Sequence, residues 1–358
     1  SILKNISYQA SRCYDLYTFC IIILTICNFQ FAISQPSGNL PIRNYPYTEY
    51  HAKQNNMSIV QDQRGIMYFA NEFGVLEYDG VEWRLIYTEN KSIVHSLSID
   101  TNGTIYVGAE GEFGYLAPDS TGNLKFYSLI PFVNESDGDF NEVWETFATE
   151  KGIYFSTMFK IFRWDGNKIQ VWDPQTAFHV MFCVPAPAIK KQVEIYVRQY
   201  DIGLMKMVVD SLTLIHGGDK FADKKIYGIF PFRKNELLIV TRGHGLYTMH
   251  YSDHLKKESP GIFPFNTKTD FFLLNSGVYY GTVINNNLYS IGTLDNGAVI
   301  INEQGNPVRY LDYNSGILSN EIAYQYPDKQ NNLWLALGDG ISKIEINSPI
   351  TYFDKRNR

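Results

Sequence analysis

A four-strand unit recurs along this chain of 358 residues, and repetition of this kind constrains the fold more than any other feature of the sequence. The stretch "SIVQDQRGIMYFANEFGVLEYDGVEWRLI" begins at Ser58. It reads as four short strands separated by turns at Arg64-Gly65, at Gly74 and at Asp79-Gly80. A domain that repeats such a unit must stack or close the copies on one another, because one copy alone cannot bury its apolar faces.

Six further copies follow, and together they predict the architecture. They begin near Val94, Val143, His179, Lys225, Val278 and Gly316. When the copies are aligned, their second strands share one large apolar position, occupied by Tyr68, Tyr106, Tyr154, Tyr196, Leu238, Tyr289 and Trp334. The spacing of roughly 38 to 51 residues is the length of one propeller blade. We therefore predict an all-β fold, a seven-bladed β-propeller of four-stranded antiparallel blades.

The alternative of a β-sandwich explains the short strands but not the same turn chemistry in each four-strand unit. Helices should be nearly absent, because the chain after the N-terminal region shows no sustained 3.6-residue apolar period. We assign the propeller to residues 56–354. Because a ring must join its last blade to its first, we expect residues 35–55 to supply a closing strand. The tryptophans at 83, 144, 164, 172 and 334 are expected to pack between blades.

The N-terminal region has the pattern of an export signal. Lys4 and Arg12 precede the apolar run Phe19–Cys27, and the small residues Ala32 and Ser34 precede a cleavage point before Gln35. We interpret residues 1–34 as a signal peptide, with an N-terminal anchor or a buried strand as the alternatives. The first residue, Ser1, suggests an incomplete N-terminus, and residues 355–358 are interpreted as a truncated continuation.

Charge and cysteine content limit the partners. The formal net charge is -6 and no long basic run occurs, so we expect no binding of nucleic acid by this segment. Three of the four cysteines lie in the leader, and only Cys183 lies in the predicted propeller, which excludes a disulfide framework there.

The last repeat resembles the two-component regulator propeller repeat. The matching positions in "GILSNEIAYQYPDKQNNLWLALGDGISKIEINSP" are Gly316, Asn320, Asp328, Asn332, Leu333, Trp334 and Gly340. The first copy is similar to the first blade of the periplasmic sensor regions that precede triple-tyrosine domains in bacterial regulators. The resemblance covers about Arg43 to Asp354, and it departs from the usual pattern at Ile317 and Asn332.

This resemblance implies the ligand-sensing part of a transmembrane regulator, placed on the periplasmic or extracellular side and anchored in the inner membrane. It also implies a second propeller, through which sensor chains could self-associate, and a kinase or DNA-binding output domain. The chain ends at "DKRNR" without either, so signalling follows from the resemblance alone.

Sequence motifs for catalysis are weak. Ser98 to Tyr106 is close to the Asp-box of sialidase-type propellers, but one extra residue separates Asp100 from Gly103, and a plain hairpin turn explains it. The seven histidines show no metal-binding spacing, and no nucleophile elbow, phosphate loop or dinucleotide fingerprint occurs. We expect no enzyme activity, no metal and no cofactor.

Binding is the better hypothesis, and the topology indicates where. The loops between second and third strands lie on the rim where each blade connects to the next, at the mouth of the central channel. Rings in these loops could stack on sugars while charged and amide groups bind hydroxyls, so we predict an oligosaccharide or similar small ligand. The candidate residues are Asn71, Phe73, Glu110, Phe113, Arg198, Tyr200, Arg242, His244, Asp295 and Asp339.

Two other functions stay open. The chain could be a stand-alone secreted or surface propeller that binds glycan or protein, or a propeller hydrolase or lyase. Filling of the space between blades is the alternative role for Phe73 and Phe113, and a simple turn is the alternative for His244.

Overall fold

The computed structural model describes residues 38–185, 193–250, 261–285 and 287–353. The signal-peptide assignment for 1–34, the turn at 186–192 and the continuation at 355–358 lie outside these residues. Two compact units are distinguished, of which Leu40–Tyr352 contains all the strands that follow. The other comprises 1–39 and 353–358, and only Gly38, Asn39 and Phe353 of it are described.

Seven four-stranded antiparallel sheets make up the structure, as the repeats predict. The chain begins with β1 (Ile42–Pro46). The first three blades are β2 (Asn56–Gln61), β3 (Met67–Asn71), β4 (Gly74–Tyr78), β5 (Trp83–Ile86); β6 (Val94–Ile99), β7 (Ile105–Ala109), β8 (Glu112–Pro118), β9 (Leu124–Ser128); and β10 (Glu145–Thr149), β11 (Gly152–Ser156), β12 (Ile161–Trp164), β13 (Ile169–Trp172).

Blades four to six are β14 (Phe178–Pro185), β15 (Val193–Gln199), β16 (Gly203–Val208), β17 (Ser211–Leu214); β18 (Ile226–Pro231), β19 (Glu236–Thr241), β20 (Leu246–His250), β21 (Ile262–Phe265); and β22 (Val278–Asn285), β23 (Leu288–Thr293), β24 (Ala298–Asn302), β25 (Pro307–Leu311). The seventh blade contains β26 (Ile322–Pro327), β27 (Leu333–Leu337) and β28 (Gly340–Ile344). The described helices are α1 (Tyr47–Tyr50), α2 (Asp270–Asn275) and the 3₁₀ turns Ile130–Phe132, Glu135–Asp137, Gly218–Phe221 and Tyr313–Ser315.

The first strand of the chain completes the last blade. β1 pairs antiparallel with β28, with Ile42 opposite Ile344 and Pro46 opposite Gly340, so the seventh sheet has the order β1-β28-β27-β26. The inner strands β2, β6, β10, β14, β18, β22 and β26 each contact the next, and β26 contacts β2. The ring is therefore closed, and each inner strand contacts an inner strand of the blade on either side.

The core is divided into seven apolar clusters, one between each pair of neighbouring blades. The cluster at the joint between the seventh and first blades includes Tyr45, Phe69 and Trp334, all buried. This arrangement follows from the alternation of the strands, because each sheet places apolar side chains on both of its faces.

Aspartates hold the hairpins between first and second strands. The carboxylate of Asp100 accepts the backbone N–H groups of Asn102 and Thr104, and Gly103 has a φ of 88°, which favours glycine. Asp328 does the same for Gln330 and Asn332. The stretch near Asp100 is thus a hairpin turn.

One tryptophan departs from the expectation for its type. Trp334 is buried, and Trp83, Trp164 and Trp172 pack against the clusters between blades. Trp144 instead precedes β10 and is 43% exposed. Its position at the start of an inner strand places it on the rim of the channel.

Candidate functional site: the channel mouth

The inner strands share an irregularity at the face where they begin. In six blades the pairing of first and second strands skips one residue, a β-bulge that leaves that residue outside the ladder. The skipped residues are Met57, His95, His179, Tyr227, Tyr279 and Ala323. Because the inner strands surround the axis, the bulges lie around the mouth of the channel, although Met57 and Tyr227 also pack against clusters between blades.

Four rings form a continuous arc over blades four to six. The centroid of the His179 ring lies 5.4 Å from that of Tyr200 and 5.3 Å from that of Tyr227, in both cases edge to face. The Tyr227 ring lies 5.3 Å from the Tyr279 ring. We call these four residues, together with Arg198 and Arg242, the mouth cluster.

Arg198 is the more buried of the two arginines in the mouth cluster, with 1% of its surface exposed. Its Nε donates to the carbonyl of Phe221 at 2.9 Å, and Nη2 donates to the carbonyl of Ala222. The guanidinium lies 4.2 Å from the centroid of the Tyr200 ring. Nη1 is buried and has no hydrogen-bond acceptor among the described residues.

Arg242 repeats this arrangement one blade further on. Its guanidinium lies 4.2 Å from the Tyr227 ring centroid and 5.3 Å from that of Tyr279. Nε donates to the carbonyl of Val278 at 2.7 Å, whereas Nη2 is buried without an acceptor in the part of the chain that the structure describes. Ring faces and carbonyls thus hold both cations and leave one nitrogen of each unused.

The electrostatics of the cluster are positive. Burial, together with the smaller effect of the charges of Arg198, Lys225 and Arg242, lowers the pKa of His179 to about 3. His179 is therefore neutral at physiological pH, and its Nδ1 is also buried without a partner among the described residues. Burial lowers the pKa of Arg198 as well, but a guanidinium stays charged.

Polar groups continue into the channel. The rings of Tyr280 and Tyr324 lie 4.2 Å apart between their centroids. Burial raises the pKa of Glu145 to about 8, although the backbone N–H of Met181 and the hydroxyl of Ser156 act in the opposite direction. Glu145 is therefore largely protonated at neutral pH and adds little negative charge below the mouth cluster.

A second ring pair lies at the mouth on blades two and three. The centroid of the His95 ring lies 4.7 Å from that of Trp144, and both ring nitrogens of His95 are buried without partners in the described structure. Burial lowers the pKa of His95 to about 4, against the opposing influence of Glu142. This neutral histidine resembles His179 in both burial and position at a bulge.

The structure brings together three of the ten residues predicted from the sequence, namely Arg198, Tyr200 and Arg242. Phe73 is 41% exposed with the Lys53 ammonium 5.4 Å from its ring centroid. Four polar candidates lie exposed in loops on the same face: Glu110, His244, Asp295 and Asp339. None of these five side chains is part of the mouth cluster, so their role stays a prediction.

The burial of two candidate residues contradicts their predicted role in ligand binding. Phe113 is completely buried and stacks on Phe155 with centroids 4.4 Å apart, so it fills the space between the second and third blades. Asn71 is also completely buried, and its amide donates to the carbonyls of Lys53 and Asn55. Neither side chain is open to a ligand at this rim.

Sequence reasoning missed His179, Tyr227, Tyr279 and the His95–Trp144 pair. All five lie at or beside the first residues of inner strands, where an aromatic residue looks like ordinary core. The useful signal is a ring or histidine at the first positions of several inner strands, since bulges turn those positions toward the axis.

Other features of the described residues are less informative. No cluster of three or more His, Cys, Asp or Glu side chains there could hold a metal ion. A recess of ≈ 510 Å³ lies between the outer strands of the first two blades, lined by residues 84–89 and 123–126. None of the helices among the described residues is long and apolar enough to cross a membrane.

Comparison with known proteins supports the fold and not a sequence family. No family model matches the chain, and no curated protein matches it. The extracellular domain of the hybrid two-component system BT4673 from B. thetaiotaomicron is similar in structure, with a TM-score of 0.64 and 15% identity over 87% of this chain and 40% of that one. The corresponding domain of BT3049 gives a TM-score of 0.60 and 17% identity over 87% and 42%.

Enzymes of the same architecture are also similar. Virginiamycin B lyase from Staphylococcus aureus gives a TM-score of 0.58 and 13% identity over 86% of this chain and 99% of that one.

This chain spans about two fifths of the length of the two extracellular domains from BT4673 and BT3049. The sequence-based resemblance to two-component sensor propellers is confirmed at the level of structure: the chain has the seven-bladed propeller fold of these extracellular domains.

Proposed function

We propose that this chain is the ligand-sensing propeller of an extracytoplasmic regulator and that it binds an oligosaccharide at the channel mouth. The observation that carries the proposal is the mouth cluster, in which four rings lie beside two arginines that each keep one nitrogen without an acceptor among the described residues. Tyrosine rings stack on sugar faces, and donors without acceptors bind hydroxyl or acidic groups.

Three further points support a sensing role. The similar structures from B. thetaiotaomicron are extracellular domains of two-component systems. The leader-like residues 1–34 agree with export, and a membrane anchor and an output domain would belong to the rest of a longer protein. Ligand binding would shift the packing of paired sensor chains through a second propeller and so bias that output.

We also propose that the chain binds its ligand without turnover. No cluster of His, Cys, Asp or Glu side chains among the described residues could hold a metal ion. Burial lowers the pKa of His95 to about 4 and that of His179 to about 3, below the range suited to a general acid or base at pH 7. Glu145, with a pKa of about 8, lies within that range, so turnover has to be measured directly. The similar lyase leaves the enzymatic alternative in need of a direct test.

A binding screen of the whole chain tests these points. Calorimetric titration with oligosaccharides should identify ligands whose affinity falls about tenfold or more in Tyr227→Ala, because that change removes a stacking ring. Tyr310→Ala is the matched control, since Tyr310 is 45% exposed on the outer strand β25. Equal affinity of wild type and Tyr227→Ala would refute the site, and steady product release from a bound sugar would refute binding without turnover.

A further inference from the structure

The two arginines of the mouth cluster differ in charge balance from Arg163 and Arg233, two arginines that stack on rings elsewhere in the ring of blades. Arg163 stacks on Trp172 and forms an ion pair with Asp210 at 2.8 Å. Arg233 stacks on Phe232 and lies 3.7 Å from a carboxylate oxygen of Glu236. Arg198 and Arg242 form no ion pair with any residue that the structure describes.

Backbone carbonyls orient these two cations but do not neutralise them. A buried cation without a counter-charge is costly, and a buried N–H without an acceptor adds to that cost. Fixed cations of this kind are retained where an anion completes them, since a guanidinium binds a carboxylate or a sulfate through two parallel N–H groups.

The surrounding charges favour an anion as well. Lys225 lies beside the cluster, and its carbonyl accepts the backbone N–H of Arg242. Asp201 and Asp223 lie within electrostatic reach of Arg198, but Asp223 is paired with Lys224 at 2.9 Å. His179 is neutral and Glu145 is largely protonated. In a chain of formal net charge -6, the cations Arg198, Arg242 and Lys225 make the mouth cluster locally positive, although Glu321 lies within electrostatic reach of Tyr279.

Exposure separates the roles of the arginines. Arg242 is partly exposed, so of the two arginines it is the one that a ligand at the mouth can reach, and its guanidinium lies beside the rings of Tyr227 and Tyr279. Arg198 is buried and contributes its charge while it holds the ring of Tyr200 in place.

We propose that the ligand of the channel mouth is an acidic oligosaccharide, whose carboxylate or sulfate group binds the guanidinium of Arg242 in the positive field of Arg198 and Lys225. The inference rests on the proposed function, because it names the class of ligand for that same site. The rings hold the sugar faces, and the cation selects sugars that carry an acid group.

Titration calorimetry at pH 7 with matched sugars tests the class of ligand. The sugars are trigalacturonate, the neutral galactotriose, and a galactose disaccharide with and without a 6-sulfate. We expect at least one acidic sugar to bind about tenfold or more tightly than its neutral partner, with affinity that falls as salt is added. Preference for trigalacturonate would identify a carboxylate as the bound group, and preference for the sulfated sugar would identify a sulfate.

Variants locate the effect. Arg242→Gln should abolish the preference for the acidic sugar, and Arg242→Lys should restore part of it because the charge returns without the planar fork. Arg233→Gln is the matched control: Arg233 stacks on two rings and donates to the carbonyl of Glu303, but it lies in the hairpin at the opposite face. The Arg233→Gln variant should bind all four sugars with the affinity of wild type.

A second measurement does not depend on the choice of sugar. Inorganic sulfate at constant ionic strength should raise the Tm of wild type and of Arg233→Gln more than that of Arg242→Gln, because only the first two keep the anion site. Equal shifts in all three proteins would show general stabilisation by sulfate and would overturn the anion site.

The outcomes separate this inference from the proposed function. If neutral sugars bind as well as their acidic partners, or if Arg242→Gln keeps the preference, the inference is wrong while oligosaccharide binding stands. If no sugar binds and sulfate has no variant-dependent effect, both are overturned.

Discussion

Closure of the ring through Tyr45 gives the most direct test of the architecture. Tyr45 lies in β1, is 2% exposed and packs at the joint between the last and first blades. Its ring stacks on Trp334 with centroids 5.6 Å apart, and it meets Tyr78 and Trp83 edge to face at 5.4 and 5.6 Å. If β1 truly completes the ring, this side chain stabilises the whole fold.

The magnitude follows from the burial. Truncating a fully buried aromatic side chain removes its transfer free energy and leaves a cavity, so Tyr45→Ala should lower the free energy of unfolding by about 3–5 kcal/mol. Tyr45→Phe keeps the ring and removes only the hydroxyl beside Tyr78, so it should cost about 1 kcal/mol. Tyr47→Ala is the control on the same segment, because Tyr47 is 43% exposed, and it should change stability by about 0.5 kcal/mol or less.

Urea denaturation followed by tryptophan fluorescence measures all three variants. Trp83 and Trp334, two of the five tryptophans, contact Tyr45, so part of the signal reports on the joint itself. A loss of less than about 1 kcal/mol in Tyr45→Ala, or an equal loss in Tyr47→Ala, would refute the claim that β1 closes the ring.

Three further changes have expected outcomes. Asp328→Ala should cost about 2–3 kcal/mol in urea denaturation, because the buried indole of Trp334 loses the acceptor that it now has at 2.9 Å; an unchanged midpoint would contradict this. Glu145→Gln should leave stability similar below pH 4.5, where the carboxyl is protonated in both states. Between pH 4.5 and 8 the carboxyl group is deprotonated in the unfolded chain but protonated in the folded chain, so wild type loses stability as the pH rises. Above pH 8 the variant should therefore be more stable than wild type by about 2–3 kcal/mol, less than the full pKa shift would give because water in the channel screens the charge. An equal dependence of the free energy of unfolding on pH in both proteins would refute this. Burial raises the pKa of the Cys183 thiol to about 12, so mass spectrometry should show far slower alkylation at pH 8 than for glutathione, and rapid labelling would contradict the burial.

The repeat pattern predicted the architecture because it depends on short-range rules. Turn residues such as Asn102-Gly103 and the shared apolar position in each second strand are visible in the sequence, and both recur at the predicted places. Sheet alternation also placed most tryptophans between blades.

The site was only partly predictable because it depends on geometry that alternation does not encode. Phe113 and Asn71 lie in or next to the correct loops, yet the pleat turns them inward. His179, Tyr227 and Tyr279 lie in strands, yet a bulge turns them toward the axis. A single bulged residue reverses the face on which a side chain appears, so periodicity alone could not place this second group at the mouth.

The register of β1 on β28 has a mechanical consequence. Because Ile42 lies opposite Ile344, the chain enters and leaves the seventh blade at the same end of that ladder. A force that pulls these two ends apart would peel the pairs open one after another, from Ile42 and Ile344 toward Pro46 and Gly340, instead of shearing them all at once. Under tension between neighbouring parts of a longer protein, this blade would therefore open first and at low force, while the other six, each made of one continuous segment of chain, would carry no direct load.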